Sequence, residues 1–136
     1  MITATFLALA QVTTGQTFTC TVVKVHDGDG PLHCREGFKI RIAGVQSLDF
    51  EDAAPCREGR PGYVCDNRRA RAAQRVTERL TLGKQLTCTR VDKSWDRVVA
   101  RCWLPDRRSL SCAVIAAGAG WRWESFWRDY RMGDCR

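Results

Sequence analysis

Eight cysteines spread over 136 residues, at Cys20, Cys34, Cys56, Cys65, Cys88, Cys102, Cys112 and Cys135, constrain this chain more than any other feature. The count is even and the intervals are wide. No C-x-x-C pair supplies the close thiolates of a zinc ribbon. Disulfides formed in an oxidising compartment are the better reading, and they predict a secreted or periplasmic protein. The N-terminus agrees in part. Ile2 to Ala10 is largely apolar and ends in Ala8-Leu9-Ala10, an A-x-A pattern like the end of a secretory signal. The basic n-region is missing and the apolar run is short. Residues 1–16 are therefore read as the remnant of a signal, with an N-terminal tail or a first strand as the alternative. Residues 17–136 are read as one domain.

That length suits a single core. No apolar run approaches the roughly 20 residues that cross a bilayer, so no membrane insertion is expected, and the protein is read as a monomer. The formal net charge is +7. A basic surface suggests a polyanion, nucleic acid being the usual one; simple solvation is the alternative. The charge is uneven. Seven of the fifteen acids fall between Asp27 and Glu58, whereas arginines crowd the later part from Arg68 to Arg108. An acidic cluster in a basic protein suits a cation site facing a phosphate-binding surface.

Thr17 to Val25, rich in Val and Thr, reads as a strand that runs into the turn His26-Asp27-Gly28-Asp29-Gly30-Pro31. Leu32 to Arg35 and the alternating Phe38 to Val45 complete a meander. Ser47 to Gly62, with acids, prolines and glycines, reads as loop. Asp66 is a candidate N-cap for a helix from Asn67 to about Leu82, with Gly83 as its stop. Its apolar stripe is Ala72, Ala73, Val76 and Leu80, and its other face carries arginines that read as solvated. Gln85 to Val91 and Val98 to Leu104 are two more strands. Ser109 to Ala117 is a short helix. Trp121, Trp123, Phe126, Trp127 and Tyr130 recur at helical spacing and read as core rather than as a base-stacking surface. His26 and His33 fit no triad or metal spacing and read as surface residues. Five strands with a helix between the third and fourth is the order of an OB-type barrel, an α+β fold with about three helices.

Three segments carry a family resemblance. Val25-His26-Asp27-Gly28-Asp29-Gly30 is similar to a strand-end D-G-D-T motif, and Ile40 to Asp49 (IRIAGVQSLD) to R-L-x-G-I-D-A-P-E. Trp95-Asp96-Arg97-Val98-Val99-Ala100-Arg101 is similar to Y-G-R-x-x-A-x. In this order and spacing the chain resembles the staphylococcal-nuclease (thermonuclease-like) family from about Phe18 to Tyr130. The resemblance implies a calcium-dependent phosphodiesterase acting on DNA or RNA. It makes Asp29 a metal ligand, with Asp27 supporting the metal from behind. Gln46 falls where the family has a second metal carboxylate, and Ser47 where it has a carbonyl ligand. Asp49 falls at the water-activating Glu. Arg41 and Arg97 become phosphate clamps at the groove rim, and Trp95 an aromatic beside the nucleotide. The resemblance also implies bridges Cys56–Cys65 and Cys88–Cys102, because exported members often carry cysteines in similar places. The other four cysteines permit three connectivities, of which Cys20–Cys34 with Cys112–Cys135 is adopted.

Two acidic roles depart from that pattern. Gln46 offers a neutral amide where an anion is expected, which weakens any cation site. Asp49 is one methylene shorter than Glu, which shortens the reach of a base. Glu51 and Asp52 are nearby acids that could substitute. Beside the enzyme stand two alternatives: a catalytically degenerate module that binds nucleic acid or another anion, and a disulfide-stabilised scaffold that binds a protein.

Overall fold

Residues 17–25 form a strand because Val and Thr, branched at Cβ, favour the extended chain. This is β1 (Thr17–Val25), and its Cys20, Val22 and Val25 turn inward. In the computed structural model, which describes residues 12–135, six strands follow. They are β2 (Leu32–Cys34), β3 (Lys39–Ile42), β4 (Val45–Gln46), β5 (Gln85–Ser94), β6 (Arg97–Trp103) and β7 (Trp121–Arg122). Five of the seven strands close a barrel in the order β1-β2-β3-β6-β5. All its pairings are antiparallel except β3 with β6, which is parallel. The OB-type α+β barrel expected from the sequence is therefore the fold. Four helices accompany it: α1 (Ala54–Arg57), α2 (Asn67–Thr81), α3 (Leu110–Ala116) and α4 (Glu124–Asp129). α1, a single turn with Pro55 near its start, lies where the sequence reads as loop.

The barrel interior is filled by Val22, Leu32, Ile40, Ile42, Leu86 and Ala100, and α2 and α3 cover it with Ala70, Ala73, Leu110 and Val114. Each fully buried Leu or Ile contributes about 1.5–3 kcal/mol of transfer free energy. Asp66 caps α2 by accepting from the Arg69 N–H, and Ser109 caps α3 by accepting from Cys112. The buried seam of α2 is Ala70, Ala73, Thr77 and Thr81. It is rotated from the expected stripe, and Ala72 is exposed. Two threonines can lie in that seam because each hydroxyl has an acceptor: Thr77 donates to the Gly28 carbonyl and Thr81 to the Thr77 carbonyl. Arg68, Arg69, Arg71, Arg75 and Arg79 are exposed on the outer face, as expected.

Four disulfides join Cys20–Cys34, Cys56–Cys65, Cys88–Cys102 and Cys112–Cys135, and no described cysteine is free. All four match the adopted pairing. Cys20–Cys34 and Cys88–Cys102 tie neighbouring barrel strands, while Cys112–Cys135 anchors the C-terminal segment to α3.

Three boundaries differ from the sequence reading. The third strand stops at Ile42 because Gly44 takes a left-handed conformation (φ +72°), so Val45 and Gln46 pair instead with β7. The β5–β6 hairpin is longer than expected, because Trp95 adopts φ +57° and lets Ser94 face Arg97 across a tight turn. The row from Trp121 to Tyr130 is not one helix in the core. Trp121 lies on β7 and is exposed, and only Trp127 of the five aromatics is fully buried. Of the segment read as a signal remnant or tail, residues 1–16, the first eleven lie outside the described residues. Residues 12–16 are not a detached tail, since Gly15 donates to the Arg90 carbonyl and Arg90 to that of Gln16.

Candidate functional site: an acid–arginine cleft

A cleft of about 620 Å³ opens beside β3 and the β5–β6 hairpin. Seven of the eight residues expected at a site line it: Asp27, Asp29, Arg41, Gln46, Asp49, Trp95 and Arg97. Ser47 does not. It is 1 % exposed, and its hydroxyl donates to the Ala119 carbonyl. Its contribution to the cleft is an N–H that donates to Asp29 Oδ2 at 3.2 Å.

The turn after β1 delivers the first two acids. Gly28 between them allows the close approach: a Cβ there would meet Ser47 Oγ at 2.1 Å and the Ala119 carbonyl at 2.7 Å. α2 holds this turn from below through Thr77 on the Gly28 carbonyl and through Gln74 on those of Val25 and His26. Both Asp27 and Asp29 are buried. Burial first, then the negative charge of Asp29, pushes Asp27 up to about 10, so it keeps a proton and shares it with its neighbour. Burial pushes Asp29 up as well, yet the Arg41 guanidinium and hydrogen bonds from Asp27, Arg41 and Ser47 outweigh it and hold Asp29 below the ordinary carboxylate value.

Arg41 is where the structure departs most from expectation. It does not stand at the rim. Its side chain is 14 % exposed and forms the cleft floor, with Nη1 2.8 Å from Asp29 Oδ2. Nη2 donates to Gln46 Oε1 and to the Val45 carbonyl, both at 3.1 Å. The Arg41 guanidinium lies over the Trp123 ring, 5.8 Å from its centroid. The turn at Gly44 causes this, because it folds β4 back over β3 and brings Gln46 onto the same guanidinium as Asp29. Arg97 differs. It bonds to the carbonyl and hydroxyl of Ser94 and, among the described residues, pairs with no carboxylate. Trp95, at the hairpin tip, is 85 % exposed.

Asp49 is held by its backbone. Its N–H donates to the carbonyl of Val64, in the loop that Cys56–Cys65 closes, and its own carbonyl accepts from the Asp66 N–H just beyond that loop. Its Oδ2 is buried with no hydrogen-bond partner. Burial first, then the charge of Asp29, pushes it up to about 6 against the pull of Arg41. Glu51 and Asp52 are exposed and outside the cleft lining. His26 and His33 line the cleft, His26 exposed and His33 half-buried.

The sequence reading missed one wall. Trp123, Phe126 and Tyr130 line the cleft as a row. Trp123 meets Phe126 edge-on at 4.9 Å, and Phe126 stacks on Tyr130 at 5.6 Å. Tyr130 donates to Asp92 Oδ2 at 2.7 Å, and burial with this acceptor pushes its phenol up. The spacing of three and four residues was visible, but helical spacing alone does not say which side faces the core.

A hard cation takes oxygen ligands. Asp29, Gln46 and Asp49 offer them, and Asp49 Oδ2 is buried with no hydrogen-bond partner. The donors fit calcium in kind. They fit less well in charge, because Arg41 already neutralises Asp29 and Gln46 is uncharged. Among the described residues no three His, Cys, Asp or Glu side chains form a group that could hold a metal ion.

No protein-family model matches this chain, and no curated protein matches it. None of the four helices is long and apolar enough to cross a membrane.

Proposed function

We propose that the chain is an exported phosphodiesterase of the staphylococcal-nuclease type, which binds DNA or RNA in this cleft and hydrolyses it slowly with calcium. The observation that carries the reading is Asp49, a half-buried carboxylate with one buried, unpartnered oxygen, lining the same cleft as Arg41 and Arg97. The three segments of family resemblance all contribute to that one cleft, which supports the assignment of class. The four disulfides suit an oxidising setting outside the cytoplasm.

In this reading Arg97 grips a phosphate oxygen, and Arg41 presents positive charge from the floor. Asp49 accepts the proton of a water aligned on phosphorus as the new P–O bond forms and the P–O ester bond opposite it breaks, the departing oxygen taking a proton from solvent. Charge building on the phosphate oxygens is met by the two guanidiniums. Asp29 and Gln46 would hold calcium, which would supply further positive charge next to the phosphate and acidify bound water. Incubating plasmid DNA with calcium, against chelator, tests the reading. Calcium-dependent nicking is expected, and no cleavage at high protein concentration rejects the enzyme.

Activity should fall on acidification. A base works only when ionised, and Asp49 titrates near 6, so kcat/KM should rise through about pH 6 and level off above it. Asp49→Asn should lose at least about a hundredfold in rate and abolish that limb. A limb that survives in Asp49→Asn assigns it to another group.

The two arginines should separate in mutants. Arg97→Ala should weaken binding and shallow the salt dependence by about 0.7–0.9 log units per decade, with the melting temperature nearly unchanged. Arg41→Ala strips a buried partner from Asp29 and should also cost several kcal/mol of stability. Salt titrations and thermal melts on both variants check this.

One observation favours the degenerate binding module instead. The Asp29–Arg41 pair with Gln46 on the same guanidinium satisfies the floor without any cation. Salt-dependent binding with no turnover in calcium would establish that second reading.

A further inference from the structure

The aromatic row leads out of the cleft. Its last member, Tyr130, lines both the cleft and a second, shallower pocket of about 340 Å³. That pocket lies on the outer face of the β5–β6 hairpin. Cys102 points into the core, so its neighbours Arg101 and Trp103 point out together. Arg101 lies over the Trp103 ring, 5.6 Å from its centroid. Arg90 is fixed at the edge by donating to the carbonyls of Val12 and Asp92, which leaves its charge uncancelled. Arg131, exposed just beyond α4, supplies a third cation. One carboxylate, Asp129, stands against these three. Among the described residues none of the three arginines forms an ion pair.

We propose that Arg90, Arg101, Trp103 and Arg131 form a second nucleic-acid subsite, which holds the stretch of a single strand that leaves the cleft past Tyr130. The inference rests on reading the cleft as a phosphodiester site and extends it to a substrate class: single strands long enough to reach both. Charge complementarity and continuity with the cleft argue for this occupant. Guanidiniums hold backbone phosphates, and an aromatic ring beside them receives a base whatever its identity. A strand engaged along this path should follow the footprint of other OB-type binders, about 4–16 nucleotides.

The test is fluorescence anisotropy with labelled oligothymidylates of about four and about twelve nucleotides, in chelator so that nothing is cut. The wild-type protein is expected to bind the long probe at least about tenfold more tightly. In Arg101→Gln/Arg131→Gln that advantage should vanish, and the long probe's salt slope should shrink by about 1.4, or 0.7 for each of two phosphates. Short-probe affinity should stay unchanged in the variant, which also shows that it is folded. Equal wild-type affinity for both lengths overturns the subsite and leaves the cleft reading standing. So does a variant that keeps the full long-probe advantage. A wild-type protein that binds neither probe overturns both.

Discussion

Reducing all four disulfides is expected to unfold this domain at neutral pH and room temperature. The bridges span sequence separations of 14, 9, 14 and 23 residues. A cross-link closing a loop of about 15 residues removes chain entropy from the unfolded state worth roughly 3 kcal/mol. Four such bridges sum to the order of 10 kcal/mol, which is comparable to the whole stability of a small domain. Two of these bridges, Cys20–Cys34 and Cys88–Cys102, also fill space. Cys20, Cys88 and Cys102 are at most 2 % exposed, so free thiols there would have to repack the barrel wall. Far-UV circular dichroism and denaturant titration with and without reductant make the measurement. A cooperative transition at unchanged midpoint with eight free thiols would overturn the expectation. Replacing only the Cys56–Cys65 pair by serines should be milder for the fold and harsher for the site, because that bridge closes the loop whose Val64, next to Cys65, holds the Asp49 backbone.

Gln46→Asp should give the largest gain at the site. Gln46 Oε1 and Asp29 Oδ2 converge on the Arg41 guanidinium, so a carboxylate at position 46 enters beside an existing one. Two carboxylates then face one guanidinium, and the excess negative charge favours a divalent ion. Calcium affinity is expected to rise about tenfold or more, since about 1.4 kcal/mol already gives that factor. Cleavage should rise with it, and further with Asp49→Glu, whose extra methylene lengthens the reach of the base. The two changes should exceed additivity because cation and base act on one water. Calorimetric calcium titration and plasmid cleavage read both effects. A double variant that neither binds calcium better nor cuts would mean that position 46 does not present its side chain to a cation. Fast cleavage by the unaltered protein would mean that a neutral amide suffices.

Much of this was legible beforehand because it is local. Val and Thr alternation, the Asp66 and Ser109 caps and the Asp-Gly turn are decided within a few residues, and the structure has them where they were read. The acids and arginines of the cleft were legible through motif order, since each segment brings its own residues. What escaped depends on how segments meet. The burial of Arg41 follows from the turn at Gly44 and from β4 pairing with β7, a strand some 75 residues further along. Thr77 reads as an ordinary helical threonine until α2 is laid under the Gly28 turn. The inward face of the aromatic row was assigned to the core because the spacing of three and four suits either side, and a concave wall beside the barrel leaves no mark in periodicity.

The bridges also have an order along the chain. Cys20 joins Cys34, Cys56 joins Cys65, Cys88 joins Cys102 and Cys112 joins Cys135, so every cysteine is paired with its immediate neighbour among the cysteines, and no bridge encloses or crosses another. Eight cysteines admit 105 pairings, and this is the one reached by the simplest rule. A polypeptide threaded N-terminus first into an oxidising space would meet the correct partner for each thiol before any wrong one had emerged. Its oxidative maturation therefore calls for an electron acceptor and little reshuffling.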